Sequence, residues 1–282
     1  MESGLVNKPT FILIGAAGYV APKHLAAIKE VGGELVAAVD KSDAVGVLDR
    51  YFPKCEFYHN QLDIPDSLKS DYAVICLPNN QHAISAYHAL DAGMNVILEK
   101  PATIGVEKLD ELKVVERSNG NRVNCILQMR LHHDAQLMMA HERECSRRAQ
   151  VEIEYHTPRG PWYAKSWKSD RSKSGGLLFN IGIHLFDLAL EVFGGWQNYS
   201  VVIDQNEANG ELTLDNADVR FHLSINGRPK SRKFLVNGCE YDFTNGFEDL
   251  HAESYWRILN GRGFGLDDAR PAIDLCERLS AS

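Results

Sequence analysis

Residues 73–102, "AVICLPNNQHAISAYHALDAGMNVILEKPA", decide the fold of this chain. The run Ala73–Leu77 is apolar throughout and reads as a buried strand. Pro78 and Asn79 turn the chain. His82–Ala92 then carries helical spacing and is stopped by Gly93, and Asn95–Leu98 is a second apolar strand. Two buried strands on either side of an amphipathic helix imply neighbouring strands of a parallel sheet.

The alternation extends in both directions. Thr10–Ile14 is β-rich and runs into a helix with apolar Leu25, Ile28 and Val31, ended by Gly32-Gly33. "ELVAAVD" is a buried strand that finishes at Asp40. Beyond the quoted stretch lie a helix around Val106–Arg117 and the strand "RVNCILQ". The first strand and helix are joined by Gly15-x-x-Gly18-x-x-Ala21. A glycine at a strand end lets the chain turn tightly, and a second small residue, in a turn that includes Ala17 and Tyr19, lets a pyrophosphate approach the backbone at a helix N-terminus. Asp40, closing the second strand, can accept hydrogen bonds from adenosine ribose hydroxyls and would repel a 2′-phosphate. The turn glycines and Asp40 could be purely structural, but turn, helix and acid together favour NAD as cofactor. The reading is an α/β protein whose residues 1–127 form a Rossmann doubly wound parallel sheet.

With 282 residues the chain is long enough for a second compact domain. After Gln128 the pattern changes to alternating segments, "VEIEYHT", "RFHLSI" and "KFLVNGCEYDF", and a closing helix. Residues 128–282 therefore read as a C-terminal α+β domain with an open, mostly antiparallel sheet, for substrate binding and oligomerisation. The net charge of −8 argues against a nucleic-acid partner. The six cysteines are scattered, without a CxxC pair, as in a reduced cytoplasmic protein. "FILIGAAGYVA" reads as strand and turn rather than a signal-peptide core, and no apolar stretch looks long enough to span a membrane.

Strand ends of an open parallel sheet face the ligand crevice. Leu77, Pro78, Asn79 and His82 follow one strand, and Glu99, Lys100 and Pro101 follow the next. A lysine there is partly desolvated, which lowers its pKa and suits it to proton transfer. Glu99 can hold the nicotinamide ribose or balance Lys100, and Pro101 can fix the backbone through a cis bond.

In the second half, Arg159–Lys173 holds five basic residues (Arg159, Lys165, Lys168, Arg171, Lys173) and one acid, Asp170. Basic groups bind phosphate and carboxylate, while Trp162, Tyr163 and Trp167 offer flat faces for a sugar or base. In "NIGIHLFDLALEVFG", Asn180, His184, Asp187 and Glu191 would form one polar stripe on a helix, with His184 a candidate for acid–base chemistry. His132-His133-Asp134 reads as polar wall, since adjacent histidines on one segment cannot easily share an ion, and no metal site is expected.

The Ala73–Ala102 stretch resembles the glucose–fructose oxidoreductase/inositol dehydrogenase (Gfo/Idh/MocA) family, with its strand–Pro–Asn–x–x–His, Ala-Gly helix end and strand-terminal Glu-Lys-Pro. The resemblance implies NAD or NADP as cofactor and places Lys100 at the catalytic centre. The family pattern Gly-Gly-(x)-Asp-x-Gly-x-His-x-x-Asp is met by Gly175-Gly176, Gly182, His184 and Asp187, but Asn180 replaces the commoner Asp. An amide cannot be a base, so proton transfer would fall to His184 and Lys100, with Asn180 orienting the sugar. "QMRLHHDAQ", "TPRGPWYAKSWK", "NIGIHLFD" and "NGRGFGLDDAR" are similar to one branch, the UDP-N-acetyl-2-amino-2-deoxyglucuronate 3-dehydrogenases of bacterial surface-polysaccharide (O-antigen, lipopolysaccharide) synthesis. That branch implies NAD-dependent oxidation at C3 of a sugar nucleotide held by residues such as Arg159, Lys165 and Lys168, in a homodimer or homotetramer. A dehydrogenase of a free sugar or polyol, inositol-type, and a catalytically silent NAD-binding sensor or scaffold are the other readings.

Overall fold

The computed structural model describes residues 8–227 and 229–281. Strands β1 (Thr10–Ile14), β2 (Glu34–Val39), β3 (Glu56–Tyr58), β4 (Tyr72–Ile75), β5 (Asn95–Leu98) and β6 (Val123–Cys125) form one sheet, ordered β3-β2-β1-β4-β5-β6. Every pairing in it is parallel. Helices α1 (Ala21–Glu30), α2 (Val47–Tyr51), α3 (His82–Asp91) and α4 (Val106–Asn119) make the crossovers other than the one from β3 to β4. Phe11, Ile12 and Leu13 of β1 are fully buried, so both faces of the sheet are covered, as the uninterrupted apolar runs require. The strand order reverses between β1 and β4, and that switch point opens a crevice at the strand ends.

The second lobe begins with α5 (His133–Glu144). His132 caps it, its Nδ1 accepting the Asp134 N–H at 3.2 Å, while Nε2 lies 2.7 Å from the Asn245 carbonyl oxygen. A second sheet contains β7 (Ala149–His156), β8 (Trp196–Ile203), β9 (Glu207–Leu214), β10 (Ala217–Ser224), β11 (Ser231–Val236) and β12 (Cys239–Asp242), ordered β12-β11-β7-β10-β9-β8. It is antiparallel except for the parallel pair β7–β10. The β11–β12 hairpin turns on Asn237 and Gly238, both at positive φ (51° and 87°), the chemistry expected of an Asn-Gly turn.

Between β7 and β8 lie α6 (Arg171–Ser174), one wide turn at Leu178–Gly182 and α7 (Ile183–Phe193). Two sequence expectations are corrected here. Arg171–Phe193 does have the length and apolar composition to cross a membrane, but 72% of that apolar window is buried. The core takes up its apolar side chains. The polar stripe is also broken. The wide turn shifts Asn180 off the register of a regular helix. Asp187 and Glu191 are ligands of buried Arg130, which donates to Asp187 from Nε (2.9 Å) and Nη2 (2.7 Å) and to Glu191 from Nη1.

The last two helices, α8 (Leu250–Leu259) and α9 (Leu266–Ala281), return to the first lobe. Tyr255 and Ile258 of α8 join the apolar cluster around β1 and α1, with the Phe11 and Tyr255 rings 5.7 Å apart. Along α9, Ile273, Leu275, Cys276 and Leu279 are buried in the larger cluster shared with α4 and α7.

Candidate active site

The β1–α1 turn is built by glycine of necessity. Gly15 sits at φ 96°, and a Cβ there would stand 2.8 Å from the carbonyl carbon and oxygen of Cys76 at the end of β4. A Cβ on Gly18 would meet the Gly15 carbonyl oxygen at 2.9 Å. Asp40 anchors the turn from the neighbouring strand: Oδ2 accepts the Ala17 N–H and Oδ1 the Ser42 N–H, both at 2.9 Å. A tight turn of small residues, a helix start and a carboxylate on the second strand fit a dinucleotide. Tyr19 is 90% exposed at the lip of the turn, with the Lys168 ammonium 5.5 Å from its ring.

A cavity of about 600 Å³ opens between the ends of β4 and β5 and the second lobe. From the first lobe Gly18, Tyr19, Leu77, Asn79, His82 and Glu99 line it; Lys100 does too. From the second lobe come Arg159, Tyr163, Trp167, Lys168, Asn180 and His184. Gly15, Ala17, Asp40 and Pro78 shape the adjoining loops without lining this cavity. Trp162 and Lys165 also lie outside it: the short turns at Tyr163–Lys165 and Trp167–Ser169 leave both exposed, Trp162 by 52%. Arg171 and Lys173 are turned away, to the Ser280 carbonyl oxygen and the Asp170 carboxylate. A second hollow of about 550 Å³, lined by residues such as Val36, Phe52, Cys55 and Leu68, holds none of the candidate residues.

Lys100 is joined to Pro101 by a cis peptide bond. Its ammonium donates to the Asn180 carbonyl oxygen across the cavity at 3.3 Å. Burial draws the Lys100 pKa down to about 8, with Glu99 pulling it up and Lys168 and Arg159 pushing it down. Burial, reinforced by the Lys100 charge, holds His184 well below the ordinary imidazole value, so it stands neutral beside the lysine. The Lys168 pKa is lowered too, by burial and then by Arg159.

Other candidates have protein partners. Asn180 Nδ2 donates to the Lys168 carbonyl oxygen (2.8 Å) and the Tyr163 hydroxyl (3.4 Å), so this amide braces the basic-aromatic segment. Asn79 Nδ2 donates to the Ser174 carbonyl oxygen at 2.8 Å, tying the two lobes together. The His82 ring lies between the carbonyl oxygens of Pro101 (2.7 Å) and Leu77 (2.9 Å), bracing both strand ends from behind. Glu99 is buried, and its carboxylate is engaged by His24, His251 and the Lys100 amide. The ligand atoms of His24, Glu99 and His251 lie within 4.8 Å of one another, a spacing that could hold a metal ion.

Several lining residues escaped sequence reasoning. Lys230 and Arg232, before and on β11, add two cations from a segment that reads only as a strand. Arg232 lies 5.0 Å over the Tyr155 ring and donates to Thr157 Oγ1 at 3.2 Å. Gln128 Oε1, Arg232 Nε and His251 Nδ1 are buried without a hydrogen-bond partner among the described residues, and all three residues line the cavity. Unmet polar atoms on a concave wall mark a site that receives a polar ligand.

Residues 10–126 match the oxidoreductase family with an NAD-binding Rossmann fold, and residues 149–243 match that family's C-terminal alpha/beta domain. Among solved structures, the WlbA (WbpB) dehydrogenase of Thermus thermophilus is 39% identical, at a TM-score of 0.94, over 96% of this chain and 94% of its own. That protein is known in complex with NAD and alpha-ketoglutarate, and with NAD and UDP-GlcNAcA. An uncharacterized oxidoreductase of Schizosaccharomyces pombe is 29% identical over 240 residues, 77% of this chain but 64% of its own length. The D-glucoside 3-dehydrogenase of Escherichia coli is 28% identical over 205 residues, 69% of this chain and 57% of its own length.

Proposed function

The chain belongs to the Gfo/Idh/MocA oxidoreductase family, and from that premise we propose that it oxidises a ring hydroxyl of a sugar nucleotide with NAD. The substrate is of the UDP-hexuronate class, UDP-N-acetyl-glucosaminuronate in the first instance, and C3 becomes the ketone for surface-polysaccharide synthesis. One observation carries this reading: Arg159, Lys168, Lys230 and Arg232 crowd the wall of the cavity that holds Lys100 and His184, in a chain of net charge −8. A free polyol would have no use for four cations. A diphosphate and a carboxylate would. The complex of the Thermus thermophilus relative with UDP-GlcNAcA supports the same substrate class.

Bound NAD supplies the hydride acceptor. In this chain Lys100, neutral in a fraction that grows as pH rises through about 8, takes the hydroxyl proton as the C–H hydride leaves. Neutral His184 accepts or donates a hydrogen bond at the same hydroxyl, and Asn180 holds the Tyr163–Lys168 segment against the sugar. The same cations suit an anionic 2-oxo acid that would reoxidise the cofactor in place, as the relative's alpha-ketoglutarate complex suggests. All six cysteines are free thiols, which supports a cytoplasmic setting, and the outer strand β8, with Val202 75% exposed, supports self-association into a homo-oligomer.

The deciding assay first measures any retained nicotinamide, then follows reduced-cofactor absorbance with a panel of UDP-hexuronates, UDP-hexoses and free polyols. Turnover should be confined to the UDP-hexuronates. Turnover of polyols alone would move the assignment to the inositol type, and tight NAD binding with no turnover of any member would make the chain a sensor. Replacing Lys168 and Arg232 together by Gln should raise KM for the UDP-sugar by about 10- to 100-fold, the loss of two charge-assisted hydrogen bonds. KM for NAD should change by less than about twofold. An equal rise in both would show that this wall does not distinguish the ligands.

A further inference from the structure

We propose that Glu99, clamped between His24 and His251, is a positioning residue that holds Lys100 in place and under a fixed negative charge. The role rests on the reading of Lys100 as the proton acceptor. Three separated segments meet at this one carboxylate. Oε1 lies 3.1 Å from Nε2 of His24 on α1 and 3.1 Å from Nε2 of His251 on α8. Oε2 accepts the amide N–H of Lys100 at 3.1 Å. Behind the clamp, His24 Nδ1 is 2.9 Å from the Tyr255 hydroxyl, and the two histidine rings stand edge to face at 4.8 Å. His24, Glu99, His251 and Tyr255 are all buried, none more than 6% exposed.

A carboxylate this deep stays ionised only if N–H groups replace its water. Burial alone would raise the Glu99 pKa, but the bonds from His24 and His251 hold it well below the usual carboxylate range. Against an ionised carboxylate, each imidazole presents an Nε2–H to Glu99. Nδ1 of His24 is left to accept from Tyr255, and Nδ1 of His251 is left without a partner among the described residues. The three groups whose spacing could hold a metal ion are therefore also joined by hydrogen bonds of their own, two imidazoles on one carboxylate. A carboxylate gripped by three N–H groups cannot swing, and neither can the strand end that carries Lys100.

The other groups around Lys100 have no such charge to offer. Lys168 and Arg159 from the basic-aromatic segment are cations, Asn180 presents a neutral carbonyl oxygen, and His184 on α7 is neutral. Glu248 is the other acid lining the cavity, but it is not among the groups that act on Lys100. Removing the Glu99 charge should therefore make Lys100 a weaker base.

The test reads Lys100 itself in the unliganded protein: competitive acetylation with acetic anhydride over the neutral to alkaline range, followed by mass spectrometry of the Lys100 peptide. The wild-type half-point should fall near about 8. Glu99→Gln should move it to lower pH by about one unit or more, the loss of an adjacent opposite charge. Lys168→Met should move it the other way. His251→Leu, which strips one N–H from the clamp, should shift it in the direction of Glu99→Gln, and His251→Gln, whose amide still donates, should restore it. Circular dichroism checks that each variant is folded, and if Glu99→Gln is not, the His251 pair decides. An unmoved half-point in folded Glu99→Gln, or in His251→Leu, overturns the clamp. A half-point that moves as expected while the pH profile of turnover does not follow it leaves the clamp standing and removes Lys100 from the chemistry.

Discussion

Lys100→Met should lower kcat/KM by about 10²- to 10⁴-fold, the range lost when a positioned acid–base group is removed. Its NAD affinity, followed by quenching of protein fluorescence, should stay within about twofold, because the Gly15–Gly18 turn and Asp40 lie on other strand ends. A base must be neutral to accept a proton. Wild-type kcat/KM should therefore rise with pH and level off above about 8, the value to which burial draws this lysine. In Lys100→Met that limb should vanish, leaving a low and flat profile. Methionine matches the length and apolar stem of lysine, so the cavity should keep its shape. A variant that retains both the rate and the rising limb would transfer the role to another group, and His184 is the first to examine, since it lines the same cavity and feels the Lys100 charge.

What could be read from the sequence follows the range of the interactions involved. β1, β2, β4 and β5 were legible because strands buried on both faces leave short apolar runs bounded by turn residues, and β6, interrupted by Asn124, because it closes the same strand–helix alternation. The half-exposed strand β3, with only Glu56–Tyr58, leaves no such run and passed unread. The β1–α1 turn was legible for the same local reason: Gly15, Gly18 and Asp40 sit at separations fixed by one strand–helix–strand unit. The clamp was not. His24, Glu99 and His251 belong to α1, the end of β5 and α8, and only the return of α8 to the first lobe brings them together. Arg232 was missed likewise, since its value depends on Tyr155 and Thr157 of the neighbouring chain segment. The basic-aromatic segment was half legible. Its charge was evident, but which of its lysines turns inward follows two single-turn helices too short to leave a periodic pattern, and the cavity takes Lys168 and not Lys165.

The reading of Asp187 and Glu191 as part of a polar stripe supplies the second large expectation. Both acids are spoken for by Arg130, whose side chain is only 7% exposed and which also donates to the Asp268 carbonyl oxygen at 3.0 Å. Arg130 thus joins α7, the helix of His184, to the start of α9 and to the segment entering the second lobe. Arg130→Met should cost about 3–5 kcal/mol, because it leaves the Asp187 carboxylate buried without its partner. The sign of its pH dependence follows from the acid. Burial already pushes Asp187 up to about 6 even with the guanidinium drawing it down, and loss of Arg130 pushes it higher. A carboxyl whose folded pKa lies above its unfolded value favours the folded chain below the unfolded pKa and ceases to do so as pH rises through the folded one. The variant should therefore be closest to wild type in mildly acidic buffer and fall furthest behind above neutrality, in urea titrations compared at two pH values. Adding Asp187→Leu to Arg130→Met should recover much of the loss by removing the orphaned charge. If the single variant unfolds at the wild-type urea midpoint at both pH values, the pair contributes nothing to the stability of the fold, and His184 must be held by the packing of Leu185, Phe186 and Leu188 alone.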